Sequence, residues 1–336
     1  MKRIFNHVDL TDRNSFHVKQ SAATLVEFSS ADDLADYFSS ERPSKWYVLG
    51  AGNNILFTRD YDGVLISPCG REVSVIGDDG ERVVVRVDAG ADWDSLVEWS
   101  VKHDLWGLEN LSLIPSSVGA APVQNIGAYG AEAGDTIIAV EYFDVRSLAA
   151  VRLSNEECRF GYRDSIFKRE LRGRAVITAV EFALSRKPRP NLGYGDVARE
   201  VEQRGGATLA NIREAICSIR RHKLPDPAVT GNAGSFFKNP IVGRAVAERL
   251  LAEYPDMPVY PIAGSDRVKL AAGWLIDRCG LKGYRAERVG VHDRQALVLV
   301  NLGGATGGDV MALADMICRR VEERFGIRIE PEVNVI

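Results

Sequence analysis

No run of 18 or more apolar residues occurs in the 336 residues of this chain, so no stretch reads as a membrane-spanning helix. Cysteine is scarce. Cys69, Cys158, Cys217, Cys279 and Cys318 are odd in number, widely spaced and form no C-x-x-C. That pattern excludes a disulfide framework or a zinc knot and fits reduced thiols in a cytoplasmic protein. The five histidines (His7, His17, His103, His222, His292) make no H-E-x-x-H or similar pair, so no metal site is expected. Positive charge has no excess either: Lys and Arg number 42 against 46 Asp and Glu, a net charge of −4. Nucleic acid is usually met by a basic stripe, and none is expected as a partner here. The opening "MKRIFNHVDLTDRNSFHVKQ" has charge but no apolar core segment, which argues against a secretory signal.

What is present reads as soluble globular material, with 46% hydrophobic and 26% charged residues. The length suits two or three domains of common size. Strand and helix patterns alternate. "SADDLADYF" (30–38) reads as a helix capped by Ser30, with Asp33 three residues on. "KWYVLG" (45–50) reads as a buried strand running into a Gly turn, and "ERVVVRVDAG" (81–90) as a stronger one. Asp92 opens a helix whose Trp93, Leu96, Val97 and Val101 share a face. "GDTIIAVEYFDV" and "RAVITAVEFAL" are β-rich runs. Helices are expected over 208–222 (face Leu209, Ile212, Ile216, Ile219), 243–253, 268–278 (face Leu270, Trp274, Leu275) and 306–325. "QALVLVN" (295–301) and the terminal "IRIEPEVNVI" read as strands. The Pro- and Gly-rich stretch 223–240 is the candidate domain boundary.

Two loops suggest a ligand. In "LGAGNNILF" (49–57), Gly50-x-Gly52 follows a strand, but Ile55 stands where the dinucleotide fingerprint needs its third Gly and a helix. A backbone anion nest or a plain tight turn remains. "IPSSVGAAPVQNIGAYGAEAGD" (114–135) is long, small and almost uncharged, with Gly119, Gly127, Gly130 and Gly134. Loops of that length without periodicity usually bind something, and small residues let backbone approach a ligand closely. Together the two loops suggest a phosphate-bearing cofactor, with a packed core loop as the alternative.

"GNAGSFFKNP" (231–240) mounts one hydroxyl, Ser235, between a bendable Gly lead-in and two aromatics, followed by Lys238 and Asn239. Taken singly, Ser235 is a turn residue, Arg163 a surface ion-pair partner and Glu332 a solvated edge charge. Likewise Tyr194 is a turn aromatic, and Lys223 a helix-end charge. Their joint occurrence changes the reading. "LGAGNNILF", "IPSSVGAAPVQNIGAYG", "CRFGYRDSIFK", "KLPDP", "GNAGSFFKNP", "KLAAGWLID" and "EPEV", in this order from about Asn14 to Ile336, resemble the UDP-N-acetylenolpyruvoylglucosamine reductase family.

The resemblance implies an α+β fold: a vanillyl-alcohol-oxidase-like FAD-binding region of two subdomains and a separate α+β substrate-binding domain. On this chain they are expected at 1–68 and 69–224, the latter joined by a C-terminal strand 327–336, with the substrate domain at 225–326. It further implies a cytoplasmic, monomeric enzyme of peptidoglycan precursor synthesis that uses FAD and NADPH to reduce an enol ether of UDP-N-acetylglucosamine. Matched residue by residue, Arg163, Ser235 and Glu332 are catalytic, Ser235 as proton donor. Tyr162, Tyr194, Lys223, Asn239 and Gln295 hold the UDP-sugar. Gly50, Ala51, Gly52, Asn53, Asn54, Ser116, Ser117, Gly119, Ala120, Gln124, Asn125, Gly127, Ala128 and Tyr129 hold FAD. "NLGYGD" around Tyr194 marks the longer form of the family, in which a tyrosine loop closes over the nucleotide.

The chemistry suits these residue types. Hydride addition to an enolpyruvyl carbon leaves negative charge spread into the carboxylate, which a fixed guanidinium stabilises. Phe236 and Phe237 are expected to keep water off the carbanion. The chain departs from the family at Asn53, where Ser is frequent, at Ser116 and Ala120, where Gly is, and at Asn334, where Arg is. These put FAD affinity and carboxylate orientation in question. A related flavin-dependent oxidase with FAD bonded to His or Cys is disfavoured, because neither residue occurs from Ile114 to Gly134. A catalytically inactive flavin- or nucleotide-sugar-binding protein is the alternative from another class.

Overall fold

Val83, Val85 and Val87 alternate inward along the strand Arg82–Asp88 and are fully buried. Each contributes about 1.5–3 kcal/mol by leaving water. The strand sits in a five-stranded antiparallel sheet ordered Ala149–Ser154, Ile137–Asp144, Ala175–Ser185, Arg82–Asp88, Val73–Asp78. Against it packs the helix Trp93–Lys102, started by Asp92, whose carboxylate accepts the Ser95 N–H at 2.8 Å. Trp93, Leu96 and Val97 are buried, and the Trp93 indole donates to Leu111 O at 3.0 Å.

The computed structural model describes residues 2–262 and 264–336. They divide into two compact units: residues up to 8, 22–51 and 62–220 in the first, and 9–21, 52–61 and 221–336 in the second. The boundaries expected from the sequence lie at 68/69, 224/225 and 326/327. The short strand Asn334–Val335 pairs in parallel with Ile55–Leu56, so the terminal segment groups with 221–336 rather than with 69–224.

The first unit also holds a four-stranded sheet ordered Arg3–Asp9, Ser21–Phe28, Tyr61–Pro68, Trp46–Val48. Trp46–Val48 is half-buried rather than buried. The helix Ala31–Ser40 begins at Ser30 in a capping box with Asp33 and buries Leu34, Tyr37 and Phe38 against Val26, Phe28 and Ile66. Leu209–Lys223 forms the long helix, with Leu209, Ile212, Ile216 and Ile219 packed on Val197, Val201 and Trp106.

In the second unit a three-stranded sheet runs Ile241–Gly243, Arg267–Leu270, Val259–Pro261, followed by the helix Ala272–Arg278. The helix expected over 268–278 is therefore a strand for its first three residues. The hairpin Val289–Val291/Leu299–Asn301 and the helix Gly307–Phe325, boxed by Thr306 and Asp309, complete the unit.

Candidate functional site

The Gly-rich loop lies at the end of the five-stranded sheet, in the first unit. Trp93 N donates to Ser116 O at 3.0 Å, Val118 N to Ala91 O at 2.9 Å and Gly119 N to Ala89 O at 2.8 Å. A Cβ on Gly119 would stand 2.6 Å from the Ala89 Cβ, so only glycine permits this approach. Opposite, a Cβ on Gly50 would come within 2.8 Å of Ser117 Oγ and 3.5 Å of the Ala120 Cβ. That hydroxyl is buried, with no hydrogen-bond partner among the described residues. An unsatisfied buried donor beside bare backbone is costly unless a ligand oxygen accepts from it. Ser116, Ser117, Gly119, Ala120, Gly50 and the exposed Ala51 therefore fit a phosphate-bearing group.

Further along, Asn125 is buried at positive φ (46°). Its side chain bonds Glu132 Oε2 at 2.6 Å, Gly161 O at 3.2 Å and Gly134 N at 2.8 Å. This amide holds the loop's own shape, with its half-buried neighbour Gln124 beside it. Ser165 Oγ adds a 2.6 Å bond to Val123 O. The turn Gly161–Asp164, closed by reciprocal backbone bonds, is thereby stitched to the loop.

At the tip of that turn sits Arg163, in the left-handed region at φ 55°. A non-glycine residue held there costs on the order of 1 kcal/mol, a strain that clusters at functional sites. Its Nη2 donates to Gly127 O at 2.7 Å, and its guanidinium lies 5.5 Å from the Tyr162 ring centroid. The structure thus joins the expected catalytic arginine to the expected cofactor loop. Gly127–Ala128 and Ala131–Glu132 form a minute hairpin, and Tyr129 at its turn meets Tyr194 edge-on at 5.9 Å. Burial pushes the Tyr129 phenol pKa up.

Sequence reasoning missed Arg220, Asn110 and Asn191. Arg220 lies beside Tyr129, its Nε donating to Leu113 O at 3.2 Å, and burial pulls its pKa below the usual guanidinium range. Nothing local marks these three, because each acts on a segment far away in the chain.

In the second unit, Gly52 takes φ 72°, and a Cβ there would lie 2.1 Å from Arg13 O. Asn53 and Asn54 follow, both half-buried. Asn54 O accepts from Asn334 N at 3.1 Å and from Asn334 Nδ2 at 3.0 Å. The family departure at Asn334 thus has a task of its own, holding the end of the Gly-Asn turn.

The Ser235 segment is clamped from both sides. Phe236 N donates to Leu297 O at 2.8 Å, Glu332 N to Phe236 O at 2.7 Å and Lys238 N to Glu330 O at 2.9 Å. Ser235 and Glu332 thereby come onto adjacent extended segments. Ser235 is exposed while Phe236 and Phe237 are fully buried and meet edge-on at 5.2 Å. The two rings are core anchors for the segment.

Asn239 and Gln295 converge on the first turn of Ala272–Arg278. Asn239 Oδ1 accepts the Ala272 N–H at 3.0 Å, and Gln295 Oε1 lies 3.2 Å from where a Cβ on Gly273 would be. Lys223 is exposed at the end of its helix. Among the described residues no group of three or more His, Cys, Asp or Glu could hold a metal ion, and no helix is long and apolar enough to cross a membrane.

Comparison with known proteins adds an independent observation. Residues 226–336 match the family model for the C-terminal domain of UDP-N-acetylenolpyruvoylglucosamine reductase, and residues 22–147 match that for an FAD binding domain. The reductase of that name from Bacteroides fragilis (strain YCH46) is 48% identical over 328 residues, covering 97% of this chain and 98% of that protein. The one from Chromobacterium violaceum is also 48% identical, with 98% of each chain covered. The crystal structure of the Thermus caldophilus enzyme superposes with a TM-score of 0.71 at 27% identity, covering 100% of this chain and 99% of that one.

Proposed function

The chain belongs to the UDP-N-acetylenolpyruvoylglucosamine reductase family, an FAD-binding oxidoreductase of α+β fold, and from that premise we propose the reaction in full. It reduces UDP-N-acetyl-3-O-(1-carboxyvinyl)-glucosamine to UDP-N-acetylmuramate with NADPH, in peptidoglycan precursor synthesis, as a cytoplasmic monomer. When bound, FAD supplies hydride to the terminal enolpyruvyl carbon after taking it from NADPH.

The chain's own residues hold the substrate, stabilise charge and deliver a proton. Arg163 takes the charge that builds on the carboxylate. Its planar fork matches that group and its charge is permanent, and one well-placed donor of this kind lowers such a barrier by roughly 3 kcal/mol. Its bond to Gly127 O supports the role by fixing the guanidinium's direction. Ser235 gives the proton to the other carbon. Glu332 steadies the carboxylate as a hydrogen-bonding acid. Tyr162, Tyr194, Lys223, Asn239 and Gln295 hold the UDP-sugar, and the net charge of −4 favours a small-molecule partner over nucleic acid. The observation that carries this reading is the backbone bond from Glu332 to Phe236 at 2.7 Å, which sets two residues distant in sequence side by side.

The test separates two half-reactions. Purified protein should carry a visible flavin band that NADPH bleaches and the enolpyruvyl substrate restores. Ser235→Ala should bleach almost as fast as the parent and recover several orders of magnitude more slowly. Because Ser235 is exposed, its removal should change stability by no more than about 0.5 kcal/mol. A preparation that takes up no FAD, or equal slowing of both halves, would overturn the assignment.

A further inference from the structure

Asn110 and Asn191 lie 81 residues apart and meet beside the Tyr129 hairpin. Asn110 is only 2% exposed, inside the 3-10 turn Glu109–Leu111. Its Nδ2 donates to Tyr129 O and to Asn191 O, each at 2.8 Å. Since both neighbours are carbonyls, the amide has one workable orientation: a flip would set oxygen against two acceptors. Asn110 Oδ1 is buried without a partner among the described residues, a cost the two donor bonds offset. From the other side, Asn191 Nδ2 donates to Gly130 O at 2.9 Å. The segment between the strand ending at Ser185 and the helix Val197–Glu202 has no regular structure, and Leu192 supplies its apolar contact. Tyr194, three residues after Asn191, is 50% exposed and rests edge-on against Tyr129.

We propose that Asn110 and Asn191 form an amide latch that sets where Tyr194 stands, making both of them positioning residues for the nucleotide-sugar substrate. The latch joins the tyrosine segment to the 127–132 hairpin through backbone carbonyls, so it does not depend on the tyrosine side chain. This inference rests on the reading of Tyr194 as a substrate-binding residue.

Two variants test it. Asn191→Ser removes the bond to Gly130 at an exposed position, and Asn110→Asp keeps the shape while turning a double donor into a carboxylate facing two carbonyls. In the ligand-free protein, amide hydrogen exchange across the bonded hairpin 126–133, whose Tyr129 and Gly130 carbonyls the latch holds, should quicken about fivefold in Asn191→Ser, the effect of one modest hydrogen bond, and more in Asn110→Asp. KM for the enolpyruvyl nucleotide-sugar should rise about fivefold in Asn191→Ser, with kcat and the rate of flavin reduction by NADPH nearly unchanged. Adding Tyr194→Ala to Asn191→Ser should raise KM no further than Tyr194→Ala alone. Unchanged exchange, unchanged KM, or slowing of both half-reactions alike would overturn the latch. Should Asn110→Asp not fold, Asn191→Ser carries the test. If the parent protein fails to reduce this substrate, the reading of function fails, and the exchange measurement still decides whether the latch exists.

Discussion

Gly50 and Gly52, two positions apart, face different kinds of neighbour. At Gly52 an added methyl would meet main-chain atoms, Arg13 O at 2.1 Å and Arg13 C at 2.8 Å, with φ already at 72°. Backbone cannot step aside cheaply, so Gly52→Ala should cost about 2–4 kcal/mol of stability. At Gly50 the first atom met is the end of a rotatable side chain, Ser117 Oγ at 2.8 Å. Gly50→Ala should cost less than about 1 kcal/mol in folding and, on the proposal that this loop holds FAD, weaken flavin binding, because the displaced hydroxyl would intrude on the proposed phosphate site. Urea unfolding together with flavin titration distinguishes them, and equal stability losses would refute the contrast. The same stretch shows how far a sequence reaches. The glycines of "LGAGNN" announced a turn, and Ile55 excluded the dinucleotide fingerprint. Which glycine answers to the fold and which to the ligand depends on Arg13 and Ser117, which no local pattern names. Phe236 and Phe237 were less legible. Their adjacency to Ser235 suggested a cover for chemistry, and both rings are buried because the segment lies between Leu297 on one side and Glu330 and Glu332 on the other, so that either face of it meets protein.

Helices announced by their caps were legible. Ser30 with Asp33 and Asp92 each bond the first turn, and that signal is local; the Thr306–Asp309 box at the last helix is of the same kind and went unread. The 268–278 region was not, since Leu270, Trp274 and Leu275 keep helical spacing while Arg267–Leu270 is drawn between two strands by long-range pairing. The helix starts at Ala272, where Asn239 Oδ1 meets its N–H. The terminal "IRIEPEVNVI" likewise reads as one strand, but Pro331 cannot donate to a ladder and only Asn334–Val335 is regular. Strand ends also carry charge. Asp144 closes Ile137–Asp144, where the Arg174 guanidinium and the Arg146 N–H hold its carboxyl at about 2. A folded-state pKa below the unfolded value near 3.9 adds stability that is complete above about pH 4 and disappears as pH falls toward 2. Arg174 is partly exposed, and screening limits the contribution to about 1 kcal/mol. Asp144→Asn should therefore lose about that much at pH 7 and show a shallower decline between pH 4 and 2. Parallel acid curves for parent and variant would contradict the assignment.

For the molecule as a whole, the contiguous C-terminal stretch is not the compact unit to which it contributes. Residues 9–21 and 52–61 belong with 221–336, and they supply buried contacts that the later residues lack on their own. Phe16 sets its ring edge-on against Phe236 at 6.2 Å, and Phe16 O accepts from Asn301 Nδ2 at 2.8 Å. Ser15 O accepts from Asn232 N at 2.8 Å. Among the described residues Ile55–Leu56 is the one strand paired with Asn334–Val335, and Gly307 lies so near Phe57 that a Cβ would sit 2.1 Å from its carbonyl. A chain of residues 221–336 alone would lose the Phe16 ring from beside Phe236 and leave Asn334–Val335 without its strand partner. Losing the burial of even one such ring costs about 3–5 kcal/mol, a large fraction of the stability usual for a domain. Such a fragment should show no sigmoidal urea transition and weak near-ultraviolet dichroism. Adding peptides for residues 9–21 and 52–61 should restore part of both signals. A fragment that unfolds cooperatively without them would mean that the packing of 221–336 is self-sufficient and that the two early segments merely rest on it.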